Sequence, residues 1–208
     1  MLRATEIPAW TQLLDTRLLK GRAGEAFVEN VFQQSGYRVS RVGRESHVQQ
    51  LLKEGKAEFL PDFLVWKPVS RAEGPTLHRL FCVEVKYRAD VEGFLRRFDG
   101  GPLAGVSGQW PDLKVVIVTD HPAPGRSCFQ LLDFAQQSPG APLHTVDLHT
   151  ASELEISRTA IEENEELVRG VFTMLAAKSL PARADGPPRK PPVKVASFLL
   201  AFLASFLV

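Results

Sequence analysis

The sequence predicts an α/β domain: a mixed central β-sheet flanked by helices, closed by a long C-terminal helix. Three observations carry this. Short apolar runs of strand length recur at Tyr37–Val42, Phe59–Trp66, His78–Tyr87 and Leu113–Thr119, separated by turn-forming residues. Stretches with helical spacing precede, interrupt and follow those runs. The chain of 208 residues is 44% hydrophobic, enough to bury a core without disulfides or structural metal.

The elements are expected in the following order. Residues Ile7–Gln34 read mainly as helix, with Ala26, Phe27, Phe32 and nearby valines at helical spacing. Gly21 and Gly24 are expected to split it into a short leading helix and a main one. Ser35-Gly36 ends it, with Gly36 suited to a left-handed C-terminal position. Tyr37–Val42 alternates as a strand. Gly43–Lys56 is polar and reads as a loop or short helix. Phe59–Trp66 is a strand interrupted by Asp62, and Lys67–Thr76 a turn region. His78–Tyr87 is polar at its ends and apolar in its middle. The loop before it is short enough for an antiparallel hairpin. Val91–Phe98 reads as a short helix and Asp99–Gly108 as a glycine-rich loop. Leu113–Thr119 is the most apolar strand, suited to the sheet centre. Cys128–Gln137 reads as helix, His144–Leu148 as strand, and Ala151–Lys178 as one long helix.

Beyond residue 180 the composition changes. Residues 181–194 are rich in Pro and basic side chains, which predicts an extended linker. Residues 195–208 are almost wholly apolar, yet fall short of the roughly 20 residues a membrane span needs. Docking on the body or on a partner, or a gene-end artefact, is favoured over membrane association. Met1–Trp10 lacks the apolar segment of a signal peptide, and Cys82 and Cys128 lack metal-ligand spacing. Both features read as cytoplasmic, with two free thiols. The net charge of +1 says nothing for or against a polyanionic partner, so any nucleic-acid surface would have to be local.

The chemistry concentrates in Glu84-Val85-Lys86. An alternating strand puts Glu84 and Lys86 on one face and Val83 and Val85 on the other. A carboxylate and an ammonium in an apolar strand are expensive to bury without a purpose. Asp62 repeats the pattern in the preceding strand. If the two strands pair, Asp62 and Glu84 converge, and two hard carboxylates suit Mg²⁺ or Mn²⁺. Glu25, on the helix before the sheet, is a third acidic candidate, with Glu29 one turn later on the same face. Arg38, Arg41, Arg44, Lys53, Lys56, Arg88, Arg96 and Arg97 lie on either side of these motifs and can neutralise backbone phosphates. Asp120-His121, after the most apolar strand, reads as a turn.

The strings GRAGEAFVENVFQQSGYRV, PDFLVW and FCVEVKYR, in that order, resemble the PD-(D/E)xK nuclease superfamily, in its restriction-endonuclease-like and Holliday-junction-resolvase-like branch. The resemblance spans about Leu19 to Thr119. It implies a restriction-endonuclease-like core and a Mg²⁺- or Mn²⁺-dependent endonuclease acting on DNA. It further implies Asp62 and Glu84 as metal ligands, Lys86 as catalytic lysine and Glu25 as the helix-borne acid. A homodimer is one arrangement that would cut two strands. No QxxxY element of the kind some exonuclease branches carry is present, which weakens the DNA-end-processing branch. Two other functions fit the sequence: a nucleic-acid-binding module that keeps the nuclease fold without turnover, and a membrane-tethered interaction protein.

Overall fold

A computed structural model of the protein describes residues 16–42, 60–69, 76–97, 110, 112–133 and 143–179. Helix α1 spans Thr16–Gln34 and leads through a tight turn into β1, Arg38–Arg41. Then follow β2 (Phe63–Val69), β3 (Leu77–Tyr87), the short helix α2 (Val91–Arg97), β4 (Leu113–Val118), β5 (Phe129–Asp133), β6 (Val146–Asp147) and α3 (Arg158–Ser179). The six strands form one mixed sheet in the order β1-β2-β3-β4-β5-β6. Among the described residues, β3 and β4 run parallel and the other neighbouring strands antiparallel.

Two apolar layers sandwich the sheet. On one face, α1 and α3 bury Phe27, Val31, Phe32, Val168 and Phe172 against Val83, Val85, Val116 and Val118. On the other, α2 and neighbouring residues pack Val91 and Phe94 against Cys82, Val115 and Ile117. Odd and even positions of β3 and β4 therefore belong to different layers, as a pleated strand requires. All six residues of β4 are buried, which confirms its central place.

Several sequence expectations change. Helix α1 runs unbroken through Gly21 and Gly24. A side-chain carbon at Gly24 would touch Val118 at 3.5 Å, so this glycine lies close over the sheet. Burial of the apolar stripe outweighs the roughly 1 kcal/mol that each helical glycine costs. Gly36 does adopt the left-handed conformation, at φ 85°. The segment expected to be helical at Cys128–Gln137 contains β5, paired with β4 and β6. Both of its faces are buried, so it lacks the alternation that marks a half-exposed strand. The long final helix begins at Arg158 rather than Ala151. Ser157 sets that start: its hydroxyl accepts the Ala160 N–H at 3.3 Å. Strand β2 extends to Val69, so Lys67 and Pro68 belong to it and not to the turn.

Ile7–Asp15 of the expected first helix, the 43–56 and 99–108 loops, the 181–194 linker and the apolar 195–208 segment lie outside the described residues. Among the described residues, no helix is long and apolar enough to cross a membrane.

Candidate active site

Pairing of β2 with β3 places Phe63 opposite Val83, so Asp62 sits just beyond the strand start, level with Glu84. Asp62 occupies a bend before β2 instead of interrupting the strand. Pro61, which has no N–H to offer a ladder, precedes it. The Asp62 carboxylate is anchored: Oδ2 accepts the Val85 backbone N–H at 2.7 Å. This bond ties the entry of β2 to the last residues of β3.

Glu84 shares its sheet face with Lys86 and Cys82, as the alternation predicts. It is only 4% exposed. Oε1 accepts from the Lys86 ammonium, while Oε2 is buried without a hydrogen-bond partner. Burial, reinforced by the neighbouring Asp62 carboxylate, pushes the Glu84 carboxyl up to about 7, although Lys86 opposes the shift. A carboxylate held out of water beside another, with one oxygen unsatisfied, is short of positive charge. Lys86 is about one-third exposed, so its ammonium also faces solvent.

Glu25 approaches the Asp62 carboxylate from α1. Burial raises its pKa first, and the Asp62 charge adds to that, against the lowering effect of Arg22 and Arg41. Arg22 Nη1 lies 3.1 Å from Glu25 Oε2, and Arg41 reaches it at 3.9 Å. Glu29, the alternative acid, is held in a salt bridge with Arg41. Asp62, Glu84 and Lys86 thus meet at one end of the sheet, with Glu25 near Asp62 from the α1 side.

The predicted basic residues separate into groups. Arg38 is exposed on edge strand β1. Arg41 pairs with Glu25 and Glu29 and covers the Phe63 ring at 5.4 Å, so its charge is engaged within the fold. Arg88 stacks on the Phe94 ring at 4.4 Å. Burial lowers its pKa, and the Arg97 charge lowers it further. Arg96 and Arg97 are exposed in the last turn of α2. Arg44, Lys53 and Lys56 fall outside the described residues.

The cation expected from the sequence finds a chemically suitable place in the unsatisfied Glu84 oxygen next to Asp62. Both ligands are hard carboxylates. Among the described residues, no group of three or more His, Cys, Asp or Glu side chains is arranged to hold a metal ion. The set fits an ion that keeps several waters, as Mg²⁺ does.

Sequence reasoning passed over a second polar cluster at the same end of the sheet, formed by Lys20, Tyr87, Asp120 and His121. Its signal was a lysine in register with the buried stripe of α1: Lys20 lies one turn before Gly24 and is buried like it. Asp120-His121 is not simply a turn, because the Asp120 side chain is 8% exposed and bonded to three other residues.

No protein-family model, curated protein or solved structure matches this chain.

Proposed function

We propose that the protein is a metal-dependent endonuclease that hydrolyses DNA phosphodiesters on a restriction-endonuclease-like core. The observation that carries this reading is the meeting of Asp62, Glu84 and Lys86 where β2 begins and β3 ends, with a buried Glu84 oxygen left without a partner. Asp62 and Glu84 would hold a Mg²⁺ or Mn²⁺ ion, which when bound would polarise the phosphoryl group and lower the pKa of an attacking water.

The chain's own residues supply the remainder. The Val85 N–H fixes the direction of the Asp62 carboxylate. Lys86, tethered to Glu84 and partly open to solvent, can donate to a phosphoryl oxygen as negative charge gathers there. Glu25, steadied by Arg22 and Arg41, can orient water at the rim. Arg88, Arg96 and Arg97 offer cations for flanking phosphates on the same side of β3 as Lys86.

Supercoiled plasmid and branched DNA incubated with Mg²⁺ or Mn²⁺ test the reading. Wild-type protein should cleave, and Asp62→Ala and Lys86→Ala should each lose about 100-fold or more. Equal activity in all three proteins removes the site. Salt-sensitive DNA binding without metal-dependent cleavage selects instead a non-catalytic binding module.

A further inference from the structure

At the end of the sheet that carries the candidate site, three side chains, from α1, β3 and the bend after β4, close a partly buried polar triangle. The Lys20 ammonium of α1 donates to Asp120 Oδ2 at 2.5 Å and to the Tyr87 hydroxyl at 3.1 Å. The Tyr87 hydroxyl donates to Asp120 Oδ1 at 2.9 Å. His121 Nδ1 lies 3.0 Å from the same oxygen, with its ring largely in solvent. Lys20 also sits 5.2 Å from the centres of the Tyr87 and Phe172 rings. Burial disfavours the Lys20 charge, but Asp120 and Tyr87 outweigh it and raise its pKa. Burial likewise opposes the Asp120 charge, and Lys20, His121 and Tyr87 overcome it.

The triangle touches α1 and β3, the elements that carry Glu25 and Lys86. Tyr87 directly follows Lys86 on β3. Glu25 lies five residues after Lys20 on the same helix, about 7.5 Å along its axis. Between them, Gly24 lets α1 lie against Val118 at the end of β4. Beyond Tyr87 the chain stays joined to β4, through the Arg88 N–H to the Val118 carbonyl at 3.0 Å. Apolar side chains of similar volume could hold α1 on the sheet as firmly as a buried ion pair. What the polar triangle adds is direction, since hydrogen bonds weaken steeply away from their preferred angles.

We infer that Lys20, Tyr87 and Asp120 are positioning residues for the metal-dependent site: their triangle fixes the register of α1 against the end of β3, and so the placement of Glu25 and Lys86. This rests on the nuclease reading. Misplacement of about 1 Å can reduce a rate by up to 100-fold, so loss of the triangle should lower kcat by about tenfold or more with KM little changed.

The test compares Lys20→Met, Asp120→Asn and the milder Tyr87→Phe with Asn164→Ala. Asn164 is fully buried and joins α3 to Asn30 and Gln34 at the far end of α1. It therefore loosens the same helix away from the site. Cleavage is measured at matched folded fraction. In parallel, the NMR resonance of the Val85 amide, which is bonded to Asp62, is followed without metal, and Mn²⁺ affinity is measured by electron paramagnetic resonance. The inference expects the triangle variants to lose kcat and shift the Val85 amide, and Asn164→Ala to do neither. Tyr87→Phe keeps the test readable if the charge variants fail to fold. The inference is overturned if all folded triangle variants keep kcat within about twofold of wild type, or if Asn164→Ala loses as much. Wild-type protein that neither cleaves DNA nor binds Mn²⁺ overturns the nuclease reading, and this inference with it. That outcome is distinguishable because it appears before any variant is made.

Discussion

Replacing Glu84 with Gln removes the charge that the fold accommodates least well, and the consequence is calculable. An ordinary glutamate titrates near 4.5, whereas Glu84 in the folded chain is pushed up to about 7. The folded state therefore holds a proton between those values that the unfolded chain has released. Stability falls as pH rises through this window and levels off above it. At about 1.36 kcal/mol per unit, the shift amounts to about 3 kcal/mol of destabilisation at pH 8, with the opposing Lys86 interaction already included. Glu84→Gln keeps the shape and loses the charge. Metal-free, at pH 8, it should be more stable than wild type by about 3 kcal/mol. Near pH 4.5 the two should coincide. Urea unfolding in the presence of a chelator, at pH 4.5, 6 and 8, measures the difference. Added Mn²⁺ should stabilise wild type at pH 8 and leave Glu84→Gln unchanged, because a ligand that binds only the folded state shifts the equilibrium toward it. A variant no more stable than wild type at pH 8, or a gain that does not vary with pH, would refute the electrostatic account of the site.

Two further predictions concern the supports of the site. The Asp90 carboxylate caps α2 by accepting the Gly93 N–H at 2.8 Å, and a side-chain carbon at Gly93 would overlap Asp90 Oδ2. Gly93→Ala should displace that cap and lower stability by about 1–2 kcal/mol, with Asp90→Ala adding little to it in a double-mutant cycle measured by urea unfolding. Phe172 is fully buried and meets Phe27 at 6.0 Å and Tyr87 at 5.2 Å between ring centres. Phe172→Ala should cost about 3–5 kcal/mol in the same assay, and a loss under 1 kcal/mol would show that α3 does not anchor this end of the core.

The mixed α/β class, helix α1 and strands β1 to β3 were legible in sequence from their spacing of apolar residues, and β4 from an unbroken run rich in β-branched residues. Val83 and Val85 pack under α1 and α3 while Glu84 and Lys86 take the opposite face. That alternation follows from strand geometry alone. β5 was not legible because, buried on both faces, it carries no period, and unlike β4 its residues Phe129–Asp133 include no β-branched side chain to mark it as strand. The start of α3 was missed for a different reason. It depends on one capping hydroxyl, Ser157, whose N–H is itself held by Ser35 Oγ at 3.0 Å, 122 residues away.

By itself, the sequence determined the residue types at the candidate site and the strand faces they occupy. Local spacing settles both. The tertiary structure alone decided which groups meet. It set Asp62 beside the Val85 amide, left one Glu84 oxygen buried and unpartnered, paired the exposed Arg41 with Glu25 and Glu29, and closed Lys20, Tyr87 and Asp120 into a triangle. Lys20 and Asp120 are 100 residues apart in the chain. Their contact is fixed by the packing of α1 across the ends of β3 and β4, and no local pattern encodes that long-range geometry.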